Sequence, residues 1–193
     1  MAGPKILVLA GSLRTGSYNV KLAALAVKEL TLNDVDVMRI SLADYPMPIY
    51  DGDHEANAGP PSNAVKLKHM IMAHHGVFIA TPEYNASVTP LLKNALDWVS
   101  RVRERNEPPY AAFKGRAFAI SGASPRATGA VLSLMALRQI LEVGCGALVI
   151  PEQVAIHNAE RAFDEVDNIG DIATANLFRA QLERLVETAR MMM

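Results

Sequence analysis

Cysteine is almost missing from this sequence. Cys145 stands alone among 193 residues, so no intrachain disulfide can form and no Cys-rich metal site exists. An excess of charge of either sign is missing too. With 19 basic and 20 acidic residues the formal net charge is −1, which offers no electrostatic footprint for nucleic acid or an anionic membrane. No apolar stretch is long enough to span a bilayer. The N-terminus runs into a strand pattern without the basic region, long apolar region and cleavage site of a secretory signal, and a soluble, cytoplasmic protein is expected. The five histidines are scattered, and His74 and His75 are adjacent, so they cannot share a helical face as paired metal ligands do. Neither a Ser-His-Asp nor a Cys-His arrangement is apparent. What remains is a globular composition, half hydrophobic and a fifth charged, of a length that fits one domain over residues 1–193.

Short apolar runs alternate with helical patterns along the chain. Strands are expected at Lys5–Ala10, Val35–Ile40 (with Val35, Val37 and Met38 inward), Gly76–Ala80, Arg116–Ser121 and Ala147–Ile150. Helices are expected at Tyr18–Leu30, Ser62–His75 with Ser62 as cap, Pro90–Arg101, Ala130–Val143 and Ile169–Met191. The last carries Ile172, Ala175, Phe178, Leu182, Leu185 and Ala189 on one stripe. Leu42–Ser62, rich in Pro, Gly and Asp, reads as a long loop, and Val102–Lys114 as a polar connection. Five strands alternating with five helices argue for an α/β fold, a doubly wound parallel sheet with helices on both faces.

The most informative segment is GSLRTGSYN, Gly11 to Asn19, directly after the first strand. A strand that ends in a polar turn and opens a helix presents backbone N–H groups and a helix dipole to an anion. Arg14 adds a planar fork of donors, Ser12 and Ser17 add hydroxyls, and Asn19 adds an amide. Gly11, Leu13 and Gly16 do not make the dinucleotide fingerprint, and no Gly-Lys-Ser/Thr closes a P-loop. A mononucleotide phosphate is the better fit, with an ordinary polar turn as the plain alternative.

In a doubly wound sheet, ligands sit at the carboxyl ends of strands where the strand order reverses. For a five-stranded order of 2-1-3-4-5 that point lies between strands one and three. The second unusual segment, TPEYNASVTP from Thr81, is therefore expected beside the first.

With GSLRTGSYN and TPEYNASVTPLLKNALDWVSR together, the chain resembles the NAD(P)H-dependent FMN reductases of flavodoxin-like fold, a family that includes quinone, azo-compound and chromate reductases. The resemblance implies that Ser12, Arg14, Ser17 and Asn19 hold the FMN phosphate, with Gly11 and Leu13 in the same loop. It further implies that Pro82, Glu83, Tyr84 and Asn85 lie along the isoalloxazine ring, and that Gly122, Ala123 and Ser124 close its third side. It implies a ping-pong cycle in which NADPH or NADH passes hydride to flavin and leaves, and a quinone, free flavin or other soluble acceptor then enters. It implies a homodimer or homotetramer with the flavin site near the subunit boundary. Hydride chemistry supplied by a flavin needs no catalytic side chain, and the scattered histidines argue against a metal site. The chain departs from the family's pattern at Arg126, where relatives often carry Gly, and at Gly129-Ala130 in place of a Gly-Gly pair.

Several residues carry two readings. Glu83 is a surface carboxylate or a proton-transfer group, Tyr84 a ring-edge group or a packing aromatic, and Asn85 a site residue or plain turn chemistry. Arg14 reads as a buried loop cation in want of an anion. Arg126 is a solvated cation or a ligand for the 2′-phosphate of NADPH. Cys145, Met70 and Met72 read as packing. Trp98 falls away from the stripe of Leu92, Ala95, Leu96 and Val99, and is expected either at an interface or half-buried against the Val102–Tyr110 segment. The rival functions are a flavodoxin-like electron carrier without nicotinamide chemistry, which the neutral charge disfavours, and a flavin-free phosphate-ester-binding module.

Overall fold

The computed structural model describes residues 3–193. Its strands are β1 (Lys5–Ala10), β2 (Asp36–Ile40), β3 (Gly76–Ala80), β4 (Ala117–Ala123) and β5 (Leu148–Ile156), all parallel, in the order 2-1-3-4-5. The helices are α1 (Tyr18–Leu30), α2 (Gly52–Ala58), α3 (Ser62–Met72), α4 (Pro90–Arg101), α5 (Val131–Gln139), α6 (Ala159–Ala162) and α7 (Ile172–Arg190). This is the doubly wound parallel sheet expected from the alternation of apolar runs, in the flavodoxin-like order that the resemblance implies.

Side chains alternate across each strand, so the inner strands feed two cores. Ile6, Val8 and Phe78 meet Leu22, Leu30, Phe178 and Leu182 beneath α1 and α7. Leu7, Leu9, Val77 and Ile79 meet Leu67, Leu92, Leu96 and Leu134 beneath α3, α4 and α5. Burial on both faces explains why β3 and β4 are buried at every residue and read as continuous apolar runs. At the edge, β2 is only half covered, and Met38 is exposed rather than inward.

The opposite edge departs most from expectation. β5 runs on to Ile156, past Pro151, because its pairing with β4 is interrupted: Phe118 faces Val149, whereas Ile120 faces Gln153. Proline is tolerated in such an interruption because no ladder bond is asked of its nitrogen. Gln181 of α7, fully buried, repairs the break. Its amide nitrogen donates to the carbonyls of Ile120 (2.8 Å) and Glu152 (3.1 Å), and its oxygen accepts from the Ser121 hydroxyl at 2.6 Å.

Three further expectations are corrected. Leu42–Ser62 is not wholly loop, for it holds a 3-10 turn at Leu42–Asp44 and α2, whose first amides are capped by the Asp51 carboxylate. Trp98 is fully buried, in one apolar cluster with Val102, so it is neither exposed for an interface nor only half-buried: its indole N–H donates to the Pro48 carbonyl at 2.7 Å, and Tyr50 packs edge-on against it at 5.0 Å. Ile172, at the first turn of α7, is exposed and outside the apolar stripe. Among the described residues no helix is long and apolar enough to cross a membrane, and no cluster of potential metal ligands exists.

Candidate flavin site

Three loops meet at the carboxyl ends of β1, β3 and β4 and enclose a cleft of about 310 Å3. That volume lies at the small end of ordinary small-molecule sites, about 300–1,000 Å3.

The first loop, residues 11–19, is anchored at both ends. The Gly11 amide donates to the Ala80 carbonyl at 2.8 Å, and the Thr89 hydroxyl donates to the Gly11 carbonyl at 2.7 Å. Thr89 also caps α4 by accepting from the Leu92 amide. Ser17 caps α1, its hydroxyl accepting from the Asn19 amide at 3.3 Å. Ser12 and Ser17 are buried. Among the described residues, the amides of Ser12, Leu13, Thr15, Gly16 and Tyr18 find no acceptor within the protein. The loop is thus a ring of free donors at a helix start.

Arg14 is exposed, not buried as the sequence suggested. Its guanidinium reaches back to the carbonyls of Thr15 (3.3 Å) and Gly16 (3.4 Å) and lies 5.9 Å from the Tyr18 ring centre. Among the described residues it has no carboxylate partner. Asn19 is placed differently from its neighbours. It is buried, and its amide closes on the backbone of Ala123, donating to the carbonyl and accepting from the N–H, each at 2.9 Å. It ties the first loop to the third.

The second loop begins at Thr81, whose amide donates to the Ser121 carbonyl at 2.8 Å. Tyr84 and Ser87 exchange both backbone hydrogen bonds at 3.0 Å, and the two residues between them, Asn85 and Ala86, have φ of 50° and 62°. This is a tight primed turn, which asparagine suits and alanine tolerates at a cost of about 1 kcal/mol. It sets Tyr84 half exposed on the rim of the cleft.

Glu83 has an unexpected partner. Its carboxylate accepts from the amides of Leu132 (3.0 Å) and Ser133 (3.3 Å) at the start of α5. The residue in the capping position of that helix, Ala130, is left-handed and has no oxygen to offer. Glu83 therefore caps α5 across space and favours the positive end of its dipole. A carboxylate so committed is a poor proton shuttle.

The third loop follows β4. Gly122 is needed there, because a Cβ at this position lies 2.7 Å from the Thr81 carbonyl oxygen and 2.8 Å from the Ala130 methyl. Any side chain pushes the second and third loops apart. Ser124 joins the loop to β5, its amide donating to Ile156 and its carbonyl accepting from Ala159. Pro125 and Arg126 form the outer wall.

All three loops named from the sequence thus line one cleft, with Gly11, Leu13 and Asn85 in loop backbone behind or beside it. The ties made by Asn19, Glu83 and Thr89 were not legible. The one available hint was a helix at Ala130–Val143 with no Ser, Thr, Asp or Asn in the capping position, which must borrow an acceptor.

Comparison with known proteins identifies the family. Residues 4–161 match the family model described as NADPH-dependent FMN reductase. An NAD(P)H-dependent FMN reductase of Pseudomonas aeruginosa is 37% identical over 183 residues, covering 94% of this chain and 92% of that protein. A quinone reductase of Escherichia coli is 36% identical over 138 residues, 71% of this chain and 69% of the other. Among solved structures, FerB, a flavoenzyme NAD(P)H:(acceptor) oxidoreductase from Paracoccus denitrificans, superposes with a TM-score of 0.78 at 28% identity, over 97% of this chain and 98% of that one. With its fold and these relatives in agreement, the chain belongs to the NADPH-dependent FMN reductase family, as a flavin-dependent oxidoreductase that draws on a reduced nicotinamide rather than a bare electron carrier.

Proposed function

We propose that the cleft holds FMN with its phosphate on the first loop and its ring along the second and third, and that the acceptor is a quinone, a free flavin or another small oxidant. The single observation that carries this placing is the set of donors on the first loop. Five amides without a protein acceptor, two buried serines and a guanidinium without a carboxylate fit a phosphate dianion. The second loop fits a flat, partly apolar ring, with Pro82 and Tyr84 lining the cleft and the amides of Glu83 and Asn85 free of protein acceptors.

When bound, the flavin supplies the hydride chemistry, taken from NAD(P)H and passed to the acceptor. The chain's own work is positional. Ser12, Ser17 and Arg14 fix the phosphate end, Tyr84 bounds the stacking space, and Asn19 and Glu83 hold the three loops in register. Free amides on the second loop favour negative charge on a ring lying beside them. No side-chain nucleophile or general base is called for. The quinone-reducing relatives and the open, half-apolar cleft support a small, flat acceptor that takes the place vacated by the nicotinamide. The reading includes a single catalytic domain working in the cytoplasm as a homodimer or homotetramer. Exposed Leu132 and Met135 on α5 give a second copy an apolar face to cover.

Initial rates with NADPH and a benzoquinone, each varied at several fixed levels of the other, test the shared cleft. Parallel double-reciprocal lines are expected. Intersecting lines contradict the ordered exchange of the two substrates through one space.

A further inference from the structure

Two guanidinium groups line the cleft, and the placing of the flavin phosphate uses one. The other belongs to Arg126, on the third loop. Its backbone is pinned at three points: the amide donates to the Ser124 hydroxyl at 3.2 Å, and the carbonyl accepts from the amides of Gly129 (3.1 Å) and Asn158 (3.3 Å). The side chain is exposed, and among the described residues it makes no hydrogen bond and no ion pair. Glu83, the carboxylate that shares the cleft wall, is spent on the amides of Leu132 and Ser133. Arg126 is therefore a cation held firmly at its base and free at its tip.

The phosphate of FMN does not call for it. That dianion is already met by Arg14, the serines and the free amides of the first loop. The second substrate also enters this cleft, and its reacting nicotinamide is flat and carries no phosphate. Its anionic groups are the pyrophosphate and, in NADPH, the 2′-phosphate, both remote from the reacting ring along the molecule, so a cation on the rim of the cleft is suited to meet them. The one group that separates NADPH from NADH is the 2′-phosphate of the adenosine, and a guanidinium fork matches phosphate oxygens. Resting on the functional reading above, we propose that Arg126 binds the 2′-phosphate of NADPH and makes the chain prefer NADPH over NADH.

The test compares wild type, Arg126→Gln and Arg126→Lys as flavin-loaded proteins. The kcat/KM ratio for NADPH over NADH is measured for each, with the flavin content and the binding of 2′,5′-ADP against 5′-AMP. Wild type is expected to favour NADPH and to bind 2′,5′-ADP more tightly than 5′-AMP. Glutamine is expected to lower both preferences about tenfold, the scale of one lost charged hydrogen bond, through KM rather than kcat. Lysine, a point charge without the fork, is expected to restore part of each. Ratios unmoved by glutamine overturn the proposal, and so does a variant that loses its flavin, which reassigns Arg126 to the flavin phosphate. A wild type that neither nucleotide reduces overturns the functional reading itself, and is visible before any variant is made.

Discussion

Asn19 and Ala123, 104 residues apart, are joined by two hydrogen bonds of 2.9 Å between one side-chain amide and the backbone N–H and carbonyl of one residue. The pair fixes the start of α1, beside the free amides of the first loop, to the end of β4, where the third loop begins. Both residues are buried, at the inner wall of the cleft.

Replacing Asn19 by Ala strands the Ala123 amide and carbonyl. Buried polar groups without partners cost about 1–3 kcal/mol each, so a loss of about 2–6 kcal/mol is expected for the two. Thermal melting reads the loss, and flavin retention should fall with it. A variant that melts with wild type and keeps its flavin removes Asn19 from this role.

Glu83→Gln keeps an acceptor oxygen for Leu132 and Ser133, whereas Glu83→Ala leaves the start of α5 uncapped. Alanine is expected to cost about 1 kcal/mol in denaturant unfolding, and glutamine less. Glutamine should also preserve kcat. A large kcat loss in the glutamine variant means that the carboxylate moves a proton.

Gln181→Leu tests the repair between β4 and β5. Leucine fills the space but leaves the Ile120 and Glu152 carbonyls and the Ser121 hydroxyl without their partner, at an expected cost of about 2–4 kcal/mol. Urea unfolding midpoints measure it directly. No loss here means that the interrupted ladder needs no side-chain partner.

Lys68 is buried and paired with Glu107, whose carboxyl is held below its usual range chiefly by that hydrogen bond. A depressed carboxylate pKa gives stability that is present above the unfolded value, about 4.3, and lost as pH falls through the folded value. Glu107→Gln should therefore melt below wild type at pH 7, and the gap should close at acid pH as wild-type Glu107 protonates. A gap independent of pH contradicts the pairing.

The parts of this molecule that were legible in its sequence share a physical cause. β1, β3 and β4 are covered on both faces, so they appear as unbroken apolar runs, and their alternation with helices points to a doubly wound parallel sheet; the strand order itself came from the flavodoxin-like fold type and not from the alternation. The loop segments were legible because free amides and hydroxyls at a helix start have a local signature. Long-range hydrogen bonds have none. Asn19 read as a phosphate donor, and its tie to Ala123 was not visible because that partner lies across the sheet. Trp98 read as an interface residue or as half-buried against the Val102–Tyr110 segment, and its full burial was not visible because the chain near Pro48 that covers it read as loop. β5 ended too early for the same reason, since Pro151 is tolerated only through an interruption in the pairing with β4.

The central claim is that three loops form one flavin site fed by nicotinamide. The visible spectrum of the purified protein, recorded anaerobically before and after NADPH, tests it most directly. A flavin band near one FMN per chain that bleaches promptly is the predicted result. A colourless protein that also fails to take up added FMN, or a flavin band that neither NADPH nor NADH bleaches, contradicts the account.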